Sequence, residues 1–371
     1  MGAGAGGGAA RPLRRRCGEA RREALAACAP EQELWGPLLA LAGMAGAPAA
    51  AEPGRVAYAC RAVARWAQRA GAPGTRLAFA QAAALALPAE PGLALETARL
   101  ARDLARHAQA ESWFRTAIRL ARGRDWESYA WGFIGLGVLY IRTGNFPAAQ
   151  ALMGRALRTG LKRGMRPVQG TSHHYLFTLL ADAGRLSEAY EHARAALQAY
   201  GGDPARLTDL ASDLGRFWLL QRRFARAVPV LAAVAPRMDA PAHRMLVTAN
   251  LAHALAGAGD RSAYEAARGR ALDQAAGSAD GSRVAETFWL LALADAELHE
   301  WERAAAMAAR SLALATERGE SEVRMQAAAV AERAAARCEA VAALDAETPA
   351  GARLGDRLVR EVVRTLAPAA A

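Results

Sequence analysis

The side chains best suited to chemistry are histidines, cysteines and carboxylates, and their spacing is the first test of whether they perform any. His173 and His174 are adjacent; on a helix such neighbours point about 100° apart, so the pair does not chelate one ion by itself and reads as a partly exposed pair starting a helix. His243 and His253 stand ten apart, and His192 and His299 have no carboxylate–histidine motif near them. Cys17, Cys28, Cys60 and Cys338 form no CxxC pair and read as buried or incidental thiols. Glu320 and Glu322 fall at a helix edge, where solvation or the helix dipole accounts for them. There is no G-x-S-x-G elbow, no P-loop and no Gly-rich turn after a strand; "GAGAGGG" belongs to a tail. The residues therefore predict no catalytic group, no metal ligand set and no cofactor, and the chain reads as a non-enzyme.

What positions these residues is a helical chain. At 371 residues it is long enough for two ordinary domains or one extended array, and its 53% hydrophobic content is largely alanine, with aromatics at 6%. Closely packed helices are favoured over strands by that balance. Net charge is +11 and the isoelectric point about 10.3. Arginine supplies nearly all of the cations, Lys162 being the one lysine, as the codons of a GC-rich genome produce. Basicity predicts salt-sensitive attraction to acidic partners. The arginines Arg11, Arg14, Arg15, Arg16, Arg21 and Arg22 lack interleaved aromatics and no helix-turn-helix pattern follows them, so nucleic acid is not the expected partner. No secretory h-region and no apolar run of about 18 residues is present, which predicts a cytoplasmic protein without a membrane span.

Residues 1–18 read as a disordered basic tail, 19–54 as N-terminal helices and a linker ("AGAPAAAEPG"), 55–315 as a helical repeat array, and 316–371 as C-terminal capping helices and tail. Repetition is visible when "RTGNFPAAQALMGRAL" (142–157) is set against "DAGRLSEAYEHARAAL" (182–197), "GAGDRSAYEAARGRAL" (257–272) and "ELHEWERAAAMAARSL" (297–312). A small residue late in each second helix falls at Ala117, Ala156, Ala196, Val234, Ala271 and Ser311, with spacings of 39, 40, 38, 37 and 40, and a fainter copy adds Ala84. About seven hairpins follow. Corner glycines Gly144, Gly184 and Gly259 are expected to adopt positive φ, and Phe146, Leu186, Phe224 and Trp301 to close each hydrophobic seam. Between repeats, "RTGLKRGMRPVQGTSHH" (158–174) reads as a longer loop carrying Arg158, Lys162, Arg163 and Arg166, either solvated or a landing patch for an acidic partner. The aromatics Trp113, Phe114, Trp126, Trp131, Phe133 and Tyr140 read as core, with Trp131 also suited to a groove rim.

The copy with Leu136-Gly137, Tyr140, Gly144, Ala149, Met153 and Ala156 resembles the tetratricopeptide repeat. It departs from that pattern in period, near 39 against the family's usual length of about 34, in missing most terminal prolines, and in placing Asp295 where an apolar residue is expected. The resemblance implies an all-α, right-handed superhelical solenoid of antiparallel helix pairs whose first helices line a concave groove. Arg99, Arg102, Trp131, Ile134, Val138, Arg142, His174, Thr178, Arg216, Asn250, His253 and Trp289 would line it. The expected function is a protein–protein interaction scaffold that binds a peptide segment, an acidic one among the candidates, with Arg142 and Asn250 as hydrogen-bond donors. The alternative is a ligand- or peptide-sensing regulator resembling the sensor halves of bacterial signalling proteins and transcription regulators.

Overall fold

The computed structural model describes residues 23, 33–278, 281, 283–338 and 348–367. The expected basic tail, Cys17 and Cys28 lie outside the described residues. Every regular element described is helical, without a strand among them, and the chain divides into two units, residues 1–172 and 173–371.

In the first unit, α1 (Trp35–Gly46) falls mainly in the stretch expected to be helical, and a 3-10 turn (Pro48–Ala50) falls in the expected linker. They lead into α2 (Pro53–Arg69), α3 (Pro73–Ala86), α4 (Pro91–Asp103), α5 (His107–Ala121), α6 (Trp126–Arg142) and α7 (Phe146–Arg163). Each even-numbered helix from α2 packs against the next, and α5 in turn against α6. Pro53, Pro73 and Pro91 open their helices, where a missing N–H costs nothing and the ring presets φ. The α6–α7 corner shows how a hairpin is made. Gly144 takes φ +78, Asn145 N–H donates to Tyr140 O at 2.8 Å, and the Asn145 side chain accepts from Ala148 N–H at 3.3 Å. The corner thus ends one helix and caps the next. Close approach is enforced at Gly135, where an added Cβ would meet Phe114 at 2.1 Å.

The expected long loop at 158–174 is absent. Helix α7 runs to Arg163, Gly164 closes it at φ +67, and α8 (Arg166–Asp182) begins two residues later with Pro167 in its first turn. Gly160 reads as a breaker but is a contact point, since a Cβ there would press on Val168 at 3.0 Å, and its carbonyl accepts from Gln169 Nε2 at 2.9 Å. Glycine and proline in this stretch serve packing and helix initiation, the two roles that resemble loop punctuation in sequence.

The second unit takes the rest of α8 and continues through α9 (Leu186–Tyr200), α10 (Pro204–Leu220), α11 (Phe224–Val234), a 3-10 turn (Ala235–Arg237), α12 (Pro241–Gly257), α13 (Arg261–Ala276), α14 (Val284–Glu297), α15 (Trp301–Arg318) and α16 (Ser321–Ala336). Gly184 and Gly259 take φ +71 and +80, while Arg222 and His299 hold left-handed corners without glycine, at φ +52 and +59. The last helix, α17 (Pro349–Leu366), packs on α9, α10 and α11. Its Leu358, Val362 and Leu366 are buried. Gly355 leaves room for Arg226, whose guanidinium donates to Asp356 Oδ1 at 2.7 Å and to Ala352 O at 2.9 Å.

All seven register positions are core: Ala84 is 4% exposed, and Ala117, Ala156, Ala196, Val234, Ala271 and Ser311 are each 0% exposed. Ser311 is tolerated because its hydroxyl donates to Ala285 O at 2.7 Å. Of the seam residues, Phe224 is buried whereas Phe146 is half exposed. Asp295 breaks the apolar pattern and is fully buried, yet it accepts from the Tyr264 hydroxyl and lies 3.2 Å from Arg303 Nε and 3.5 Å from Arg268 Nε. A buried carboxylate of this kind requires such partners.

Candidate functional site

The expected groove residues fall in both units. In the first unit, α4 and α6 bring Arg99 to Trp131 and, further along, Arg142 to Arg102. The Arg99 guanidinium lies 5.6 Å from the Trp131 ring centroid, and Arg142 Nη1 reaches Arg102 O at 3.4 Å. Arg102 is paired with its neighbour Asp103 at 2.9 Å. Among the described residues no carboxylate lies within ion-pair distance of Arg99 or Arg142. Burial, followed by the Arg102 charge, lowers the pKa of the Arg99 guanidinium, as expected where cations are gathered against an aromatic face. Val138 is half-buried on this face. Ile134 is 4% exposed and part of the packed interior, so it leaves the set offered to a ligand.

In the second unit the equivalent positions answer one another. His174 Nε2 lies 2.9 Å from Asp213 Oδ2 and its Nδ1 lies 3.2 Å from the Tyr200 hydroxyl. His173, in the middle of α8 rather than at a helix start, places Nδ1 2.7 Å from His192 Nδ1. Burial, then the neighbouring His192, lowers the His173 pKa to about 4. Burial also raises Asp182 and Asp209 above the usual carboxylate range. Thr178 spends its hydroxyl on Tyr175 O at 2.9 Å, Arg216 is exposed, and Trp289 is half-buried.

Asn250 and His253 lie on α12, each 8% exposed. His253 Nε2 is 3.6 Å from Glu297 Oε1, and Glu297 also takes a two-point ion pair from Arg222, 75 positions away in sequence, with Nη2–Oε2 at 2.7 Å. Burial alone would raise Glu297, but His253 and Arg222 outweigh it and hold the carboxyl at about 2. Arg222, Glu297, His299 and Arg333 line a small cavity there. The Arg222–Glu297 pair had no sequence signal, since nothing in spacing connects two corners that far apart. Among the described residues no group of three His, Cys, Asp or Glu is placed to hold a metal ion, and no helix is long and apolar enough to cross a membrane.

The charge is divided unevenly between the units. Residues 1–172 hold 24 Lys and Arg against 11 Asp and Glu, whereas residues 173–371 hold 23 against 25. The whole excess of positive charge therefore belongs to the first.

The tetratricopeptide repeat family matches residues 93–160, from α4 into α7. No curated protein matches the chain in sequence. Among solved structures, a signal transduction ATPase with numerous domains and a tetratricopeptide repeat sensor, from Pyrococcus horikoshii, is similar at TM-score 0.59 and 10% identity, over 87% of this chain and 51% of that one. The APC/C hetero-tetramer Cut9–Hcn1 is similar at TM-score 0.51 and 13% identity, over 84% of this chain and 58% of that one. BtubC from P. vanneervenii is 20% identical over 61% of this chain and 91% of its own, with TM-score 0.46. At such identities the first two likenesses show a shared fold.

Proposed function

We propose that the chain, whose helical repeats match the tetratricopeptide repeat over residues 93–160 and share that fold, is a non-catalytic binding scaffold whose α4–α6 face holds an acidic peptide segment of a partner protein. The observation that carries this reading is the contrast within the set of expected groove residues. Arg99, over the Trp131 ring, and Arg142, at the far end of the same α6 helix, stand without a carboxylate partner, whereas His174 and His253 of the second unit face Asp213 and Glu297. An unpaired guanidinium retains its donor fork for a carboxylate, and an adjacent indole adds apolar contact area. The face is built from first-unit residues alone; Asn250, 8% exposed on α12 of the second unit, is given no role in it.

Fluorescence anisotropy of a labelled Asp/Glu-rich peptide tests the reading. Arg99→Glu with Arg142→Glu is expected to weaken binding by about tenfold or more, since charged hydrogen bonds are removed and like charge introduced. Unchanged affinity in that variant contradicts the assignment.

The sensor reading has its own support in the titratable cluster of His173, His192, His174 and Asp213 and in the fold shared with a protein described as having a tetratricopeptide repeat sensor. A small ligand that changes the spacing of the second unit's helices would favour it.

A further inference from the structure

The first unit has a second concentration of charge, on a different pair of helices. Between α6 and α7 an open cleft of about 240 Å³ is lined by Trp126, Tyr129 and Phe133 on one side and by Arg155, Arg158, Lys162 and Arg163 on the other. The aromatic wall is continuous, with Trp126 edge-on to Tyr129 at 5.6 Å and Tyr129 edge-on to Phe133 at 4.7 Å. Two cations lie over it: the Arg163 guanidinium carbon is 4.2 Å from the Trp126 centroid and that of Arg155 is 4.4 Å from the Phe133 centroid.

Three features separate this cleft from an ordinary basic surface. No Asp or Glu occurs anywhere from Ser128 to Ala181, and among the described residues none of the four cations has a carboxylate within ion-pair distance. A codon bias toward arginine explains many arginines but not the absence of acids. Arg155, Arg158 and Lys162 also follow one another at i+3 and i+4 on α7, which brings each beside the next, and Arg163 lines the same cleft. Cations in the last turn of a helix are commonplace because they answer its dipole; that accounts for Lys162 and Arg163 but not for Arg155 and Arg158 further back. Finally, an arginine stacked on a ring has its plane fixed and its N–H edge turned outward, which organises it for a planar or tetrahedral oxyanion.

The kind of anion follows from what is already occupied. Trp126 and Phe133 each carry a guanidinium, so stacking of a nucleobase would first require those contacts to be displaced. A carboxylate has two oxygens and is satisfied by one arginine. A phosphate monoester carries a charge near −2 and three terminal oxygens, so it can engage several of these cations at once and relieve their mutual repulsion. Tyr129 adds a hydroxyl in the same wall.

We propose that the α6–α7 cleft is a site for a phosphate monoester, with Arg155 and Arg163 as ring-braced donors and Arg158 and Lys162 as the charges that complete it. The site is independent of the α4–α6 peptide face and does not rest on that assignment.

Isothermal titration calorimetry on the full chain at about 0.15 M salt, where long-range attraction is largely screened, decides the matter. The probes are an Ala/Gly-based peptide bearing one phosphoserine, its serine and glutamate twins, inorganic phosphate and a short single-stranded oligonucleotide. Arg158 and Lys162 are exposed, so Arg158→Ala with Lys162→Ala leaves the fold intact, which circular dichroism checks. The phosphopeptide is expected to bind at least about tenfold more tightly than either twin and to lose about tenfold in the double variant, with no change in Arg99→Ala/Arg142→Ala. Inorganic phosphate competing as well as the peptide assigns the site to small phosphate esters; phosphate failing to compete assigns it to a phosphorylated protein segment. Equal binding of the glutamate twin, undiminished binding in the double variant, or tighter binding of a single-stranded oligonucleotide overturns the proposal.

Discussion

The two units share one way of packing and differ in what they do with charge. In the second, ion pairs join one repeat to the next: Arg261 with Glu300, Arg303 with Glu265, and Arg337 with Glu302, all separated by about one repeat period. Longer links add Arg222 to Glu297 and Arg226 to Asp356. In the first, Arg69–Glu33 makes one such link, on exposed side chains, and Arg102–Asp103 and Arg115–Glu111 stay on one helix, while Arg99, Arg142 and the α7 cations stand without a carboxylate. Packing in a repeat protein is a nearest-neighbour matter that every copy must satisfy. Charge is free to vary, and here it is spent on cohesion in one unit and left available in the other.

The largest way to break this contrast is to remove the acid at the centre of the second unit's network. Asp295→Ala strips Tyr264, Arg268 and Arg303 of a common partner and is expected to destabilise that unit by about 3 kcal/mol, because removing one member of a buried pair leaves the others unanswered. Urea denaturation followed by hydrogen exchange resolved along the chain would place the loss in residues 173–371.

A comparable loss should be obtainable in the first unit only through packing. Ala156→Leu inserts a branched side chain at a fully buried register position and is expected to cost about 1–3 kcal/mol, with exchange protection falling in α6 and α7. A neutral outcome would mean the register positions are less tightly packed than their burial indicates.

Acidity gives a third, smaller contrast. The folded second unit holds His173 neutral, with a pKa lowered from 6.5 to about 4, and lowers His192 as well. Below 6.5 the unfolded chain takes up protons that the folded chain refuses, so this part of the stability is complete above 6.5 and is lost as the pH falls toward about 4. The melting temperature should decline through that window, and His173→Gln should flatten the decline. An identical slope in wild type and variant would remove His173 as the cause.

The repeat period, the corner glycines and the buried small positions were legible in sequence because each copy solves the same local problem: a left-handed corner, then a helix that must approach its partner closely. Where a signal had two physical meanings, sequence reading chose wrongly. Gly160, Gly164, Pro167 and Gly170 look like a loop, but Gly160 is a contact with α8 and Pro167 lies in a helix's first turn. Asp295 looked like an interruption of the apolar pattern and is its hydrogen-bonded substitute. The docking of α17 against α9, α10 and α11, like the Arg222–Glu297 pair, depends on residues too distant in sequence for any period to connect them. Ile134 was placed among groove residues by register alone, and burial removes it.

The central claim, that ligand-accessible charge is concentrated in the first unit, is tested most directly by hydrogen-exchange mass spectrometry with and without a saturating Asp/Glu-rich peptide. Protection is predicted in residues 91–103 and 126–142, and its loss in Arg99→Glu/Arg142→Glu. Protection confined to residues 173–371, or persisting unchanged in that variant, would contradict the account.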